Sequence, residues 1–230
     1  MAVLSKRSAG QWMMPASDTR SVPVEWSRCS TPPSMRYKAD ITAGALKLPE
    51  SRLIADLLLR RVDAAGWKDA VFTQNLLQAR SPATAKRLSN LIRGRLSTMG
   101  PDLWKLVRDG KGTVAIHALF ASVVKHSPLL GDFLAIVVAE QYRLFSPNLS
   151  NTLWAAYLEG CRERDPEMPQ WNESTHRRLR SSVFQMLAQA GYIENTRSLK
   201  LQTVHIADPV LCYLKANQED YVLHCVQVAP

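Results

Sequence analysis

The chain has 230 residues, of which 46% are hydrophobic, 7% aromatic and ten are glycine, enough to build a packed core but poor in the turns that a β-sandwich or barrel needs. Lysine and arginine number 29 against 20 acidic residues, a net charge of +9, and the excess is uneven: +2 over residues 1–34, +8 over 35–150 and −1 over 151–230. Such asymmetry points to a polyanionic partner, although a solvated basic surface accounts for charge alone equally well.

Residues 1–34 hold Pro15, Pro23, Pro32 and Pro33 and no sustained periodicity. They read as a disordered arm, a non-native leader, or the product of an upstream start codon with initiation at Met35. From Met35 onward a succession of helices is expected. The first spans about Glu50 to Asp63 with Leu53, Ile54, Leu57 and Leu58 on one side, and a short one covers Trp67 to Leu77. Ser81-Pro82 supplies an N-cap followed by proline in the first helical turn. The helix it opens, to about Thr98, buries Ala85, Leu88, Leu91, Ile92 and Met99. Pro101 and Gly110 bracket a short helix. Thr113 to His126 is almost wholly apolar and predicts a central buried helix. Ser127-Pro128 opens another to about Arg143, and Ser150 starts the next. The segment Asp165 to Gln170, with two prolines, is the best internal boundary, dividing 35–164 from 165–230. Beyond it, Leu179, Val183, Met186, Leu187 and Ala190 lie on one helical face that Gly191 ends. Tyr192 to Gln202 has the pattern of a short β-hairpin, and a last short helix follows Pro209.

Two stretches carry the functional argument. Trp67 to Leu96 reads as helix, tight turn, helix. The second helix starts with Ser81 and Thr84, small hydrogen-bonding groups that let a recognition helix approach base edges. It then turns basic through Lys86, Arg87, Asn90 and Arg93, with Arg80 just ahead. Eight basic and two acidic residues lie between Arg80 and Lys111. The second stretch, Trp171 to Gln202, begins an amphipathic helix with Thr175, His176, Arg177, Arg178 and Arg180 and ends in the expected hairpin with Arg197 and Lys200. This is the order of a winged helix-turn-helix. Three arginines at a helix start oppose the helix dipole, and a local rule broken at an exposed position hints at function.

Signals for catalysis are weak. Gly110-Lys111-Gly112-Thr113 lacks the earlier glycine and the Lys-Ser/Thr pair of a P-loop, and no G-x-S-x-G, G-x-G-x-x-G or H-E-x-x-H occurs. Glu159, Glu163, Asp165 and Glu167 could hold Mg²⁺ in a nuclease, but they sit where a solvated helix end is expected. His117, in the apolar helix, reads as a satisfied core histidine. The four cysteines are scattered, with no metal or redox spacing. No signal peptide and no membrane-length apolar run is visible, so free thiols in the cytoplasm are expected.

Five stretches together resemble one family: Met35 to Leu59, Arg80 to Leu96, Leu103 to Gly110, Lys125 to Leu134 and Trp171 to Leu199. They are similar to the BrxA family of bacteriophage-exclusion (BREX) defence systems, over residues 35–228. The resemblance implies a mainly helical protein with helix-turn-helix elements that binds double-stranded DNA beside a methyltransferase and ATPase components. The expectation is therefore a mainly α, non-catalytic, cofactor-free monomer that binds duplex DNA through the residues named above. An RNA-binding protein of NusB-like architecture and a protein–protein adaptor are the alternatives.

Overall fold

The computed structural model describes residues 36–42 and 45–228; the expectations for residues 1–34 lie outside them. The described chain starts as a non-helical strap, with a turn at 40–42, in which Tyr37 and Ile41 are buried, as is Leu46 ahead of the first helix. The strap leads into α1 (Leu48–Leu59). That helix buries Ile54, Ala55 and Leu57 but leaves Leu53 facing outward, and it ends four residues before the expected Asp63.

Asp63 instead caps the next helix, accepting a hydrogen bond from the Gly66 amide at 2.8 Å. α2 (Ala64–Lys68) runs directly into a π-helical turn, Asp69–Thr73. The connection to α3 is closed by Asn75, which sits in the left-handed region at φ 46°. Its Oδ1 accepts from the Ala79 amide at 2.9 Å and its Nδ2 donates to the Ala79 carbonyl at 3.1 Å. α3 (Pro82–Leu96) begins as expected, with the Ser81 hydroxyl accepting from the Thr84 amide at 3.2 Å. This satisfies one of the amides a helix start leaves unpaired.

α4 (Pro101–Asp109) packs on α1, and α5 (Thr113–His126) lies at the centre, touching α3, α4 and elements on both sides of the 165–170 loop. α6 (Pro128–Asp132), a π-helical stretch Phe133–Val138 and α7 (Ala139–Arg143) form one continuous helix, bent 106° from α5. α8 (Asn151–Arg164) is capped by Ser150, and α9 (Glu173–Ala190) by Asn172, whose Oδ1 accepts from the Thr175 amide at 2.9 Å. Gly191, at φ 89°, ends α9 in a conformation that side-chain-bearing residues rarely adopt. α10 (Asp208–Ala216) and α11 (Asp220–Val226) complete the chain. Among the described residues no single helix is long and apolar enough to cross a membrane.

The fold is mainly helical, and the described residues contain no strand. The expected β-hairpin wing does not form. Ile193 and Leu201 make one isolated antiparallel bridge, and Lys200 bridges Asn148 on its other side. Between them the Asn195 side chain accepts from the amides of Arg197 and Ser198, each at 2.8 Å. Leu199 then takes φ 50° and drops its side chain into the core. That left-handed residue interrupts the extended run, so the alternation read from the sequence is too short to make a ladder.

A buried polar hub ties the strap to the helices. The Asp132 carboxylate accepts from Arg36 Nη2 at 2.7 Å, from the Tyr37 hydroxyl at 2.7 Å and from the Tyr221 hydroxyl at 2.9 Å. Asp165 takes the Tyr37 amide at 3.0 Å, so this member of the acidic cluster is a structural acceptor. His117 is a satisfied core histidine: its Nδ1 accepts from the Ala207 amide at 3.1 Å, and burial holds its pKa below the ordinary value.

Candidate nucleic-acid interface

Two basic surfaces stand out. On α3, Lys86, Arg87, Asn90 and Arg93 are exposed at spacings of three, four and seven, and so share one face. Arg80 is exposed just ahead of the helix. Among the described residues no carboxylate pairs with Arg80, Lys86, Arg87 or Arg93. Arg93 lies over the Trp67 ring at 4.7 Å, which joins α3 to α2. Ser81 and Thr84 are spent on the cap, and their hydroxyls are 3.0 Å apart.

The local charge excess is smaller at the surface than it is in the sequence. Arg95 is fully buried, donates a 3.4 Å bond to the Ala45 carbonyl and no other among the described residues, and its pKa is pushed down to about 10 by desolvation, with Asp40 opposing that shift. Arg108 is held by Asp56 and Asp109, and Lys105 by Asp102. Among the described residues of this region, the exposed cations without a carboxylate partner are Lys86, Arg87 and Arg93 on α3, with Arg80 just ahead of it and Lys111 beyond α4.

The second surface is a groove of about 330 Å³ between α8 and the start of α9, lined by Trp154, Glu159, Arg162, His176, Arg177 and Arg180 among others. Arg162 Nη2 lies 3.1 Å from His176 Nε2, and the His176 ring meets Trp171 edge-on at 6.0 Å. Arg177 reaches Glu173 at 3.6 Å. That first-turn glutamate restores part of the favourable dipole interaction that the arginines oppose. Thr175 is half-buried and donates its amide to the cap. Arg178 is exposed but does not line the groove, so the arginines of α9 do not act as one set. Arg197 and Lys200, both exposed, follow the opposite end of α9, and neither lines the groove. Arg162 is the groove residue that sequence reasoning missed. It belongs to an unremarkable helix, and only the packing of α8 beside α9 gives it meaning.

Among the described residues no group of three His, Cys, Asp or Glu side chains is placed to hold a metal ion. Glu159 and Glu163 are exposed, and Cys161 and Cys225 are buried free thiols.

These features define a mainly helical protein with two separate basic helix faces. A BrxA family model matches residues 35–218. A protein of Paramagnetospirillum magneticum named BREX protein BrxA is 53% identical over 194 residues, covering 84% of this chain and 98% of that protein. Its namesake from Escherichia coli O9:H4 is 33% identical over 184 residues, covering 80% and 86%. The crystal structure of an uncharacterized protein from Magnetospirillum magneticum superposes with a TM-score of 0.80 at 50% identity, covering 84% of this chain and all of that one. The chain belongs to the BrxA family.

Proposed function

We propose that this chain is a non-catalytic, double-stranded DNA-binding component of a BREX phage-defence system. It would act as a cytoplasmic monomer beside that system's methyltransferase and ATPase components. The carrying observation is the α3 face. Lys86, Arg87 and Arg93, with Asn90 among them, form one exposed surface whose cations have no carboxylate partner among the described residues, on a helix whose start is fixed by the Asn75 turn and the Ser81 cap. Exposed unpaired cations on a preset helix follow phosphates at little ordering cost, and an exposed asparagine can meet a base edge. Arg80 extends the basic surface, and Ser81 and Thr84 leave the helix start small enough for close approach. Arg177, Arg178 and Arg180, with Thr175 and His176, would supply a second contact, and Arg197 and Lys200 peripheral ones.

The test is fluorescence anisotropy on a labelled duplex of about 20 base pairs across several salt concentrations, with an RNA hairpin alongside. Duplex binding with a steep salt slope is expected. Preference for the hairpin would favour the RNA reading, and no binding to either would favour the adaptor. Trp67 bears on this choice, because one face of its ring is occupied by Arg93 and is not open to stacking on an unpaired base.

A further inference from the structure

The groove between α8 and α9 contains more donors than the protein uses. Arg162 and Arg180, one from each helix, have no carboxylate within ion-pair distance among the described residues. Arg177 has only the long contact to Glu173, and both side chains are largely exposed. Trp154 lines it, is 2% exposed, and its indole N–H is buried with no acceptor among the described residues. Two carboxylates, Glu159 and Glu173, line the same groove against three guanidinium groups.

From this arrangement we infer that the α8–α9 groove seats a phosphodiester group of the duplex backbone, gripped by Arg162, Arg177 and Arg180, so that the start of α9 positions the DNA and does not read its bases. The inference rests on the duplex-binding reading above. Guanidinium forks approaching from two helices suit a tetrahedral phosphate, which accepts from several directions at once. The groove is open and polar, which suits a passing strand better than an enclosed small molecule. The groove carboxylates repel an anion from their own positions and confine it to the arginines. Arg178, outside the groove, takes no part in the grip.

The test uses the full chain, two duplexes of unrelated sequence, and the variants Arg162→Ala, Arg180→Ala and, as a charge-matched control, Lys215→Ala at an exposed cation of α10 outside both basic surfaces, each checked for an unchanged circular-dichroism melt. The first two are expected to weaken both duplexes by the same factor and to reduce the magnitude of the salt slope by about one, the change expected when one phosphate is no longer neutralised. Arg162→Lys should recover part of the affinity, and Lys215→Ala should keep the wild-type slope. Wild-type binding with an unaltered slope in Arg162→Ala and Arg180→Ala would overturn the inference, as would a loss confined to one sequence. If the wild type binds no duplex, the functional reading itself fails. A separate NMR arm follows the Trp154 indole and His176 signals during titration with inorganic phosphate and with AMP. Movement of those signals that duplex DNA abolishes by competition supports the seat. Movement that duplex leaves untouched assigns the groove to a free anion and overturns it.

Discussion

The Arg93 guanidinium rests 4.7 Å from the centre of the Trp67 ring, so a residue of the exposed α3 face is also a brace between α2 and α3. A cation over an indole at a partly exposed site contributes about 0.5–1 kcal/mol. A double-mutant cycle of Arg93→Ala and Trp67→Leu, followed by urea denaturation, should give a coupling energy in that range. Coupling indistinguishable from zero would mean that the stacking has no energetic consequence. Trp67→Leu alone should weaken duplex binding slightly, by leaving Arg93 free to wander.

Replacing Lys86, Arg87 and Arg93 together with alanine should reduce duplex affinity at least tenfold in moderate salt. The salt slope should flatten by about 0.9 for each phosphate that the variant no longer neutralises. The melting curve should reflect only the loss of the about 0.5–1 kcal/mol that the Arg93–Trp67 contact contributes, because exposed Lys86 and Arg87 are remote from packing and such substitutions usually change stability by about 0.5 kcal/mol or less. Unchanged anisotropy titrations would remove α3 from the interface.

Asp132 accepts from three donors that come from the strap and from α11. Asp132→Ala leaves the buried Tyr37 hydroxyl and the half-buried Tyr221 hydroxyl without their acceptor, while Arg36, whose side chain is 55% exposed, stays solvated; leaving a buried donor unsatisfied costs about 1–3 kcal/mol. Chemical denaturation should show this as a lower midpoint. Tyr221→Phe removes a single donor and should cost nearer ~1 kcal/mol.

Gly131 allows that hub to close. A Cβ at this position would lie 2.3 Å from the Tyr221 hydroxyl. Gly131→Ala must therefore displace Tyr221, and overpacking of this kind costs about 1–3 kcal/mol. A crystal structure of the variant should show the Tyr221–Asp132 hydrogen bond lengthened or broken; an unmoved Tyr221 would contradict the account.

His117 makes stability depend on pH. Burial lowers its pKa in the folded protein from the ordinary 6.5, and its Nδ1 must stay unprotonated to accept from Ala207. The unfolded chain therefore binds the proton more readily than the native one. This stability is fully present above about pH 6.5 and is lost as the pH falls from there toward the depressed folded value. Thermal melts between about pH 7.5 and 5.5 should fall more steeply for the wild type than for His117→Gln. Parallel curves would show that His117 titrates alike in both states.

Much of the helical framework is legible because it is written in local chemistry. Ser81-Pro82, Ser150 and Asn172 cap helices through their own side chains, and the Leu179–Ala190 stripe and Gly191 bound α9 without help from distant residues. The hairpin expectation fails because Leu199 leaves the extended region to fill the core, and nothing local announces that. The surface charge is overstated by the sequence for a similar reason: Arg95 counts as basic in the chain, but α3 turns it inward toward the strap and Asp40.

The candidate site divides along the same line. The α3 face follows from helical spacing, since residues three and four apart share a side wherever the helix is placed. The α8–α9 groove does not, because Arg162 and Arg180 are remote in sequence and meet only when two helices pack. Helix starts, stops and faces are short-range properties of this sequence, set by caps, proline, glycine and apolar periodicity. The partner each face meets is a long-range outcome of burying one shared core, and tertiary structure alone decided which arginines were withdrawn, which were paired and which converge on the groove.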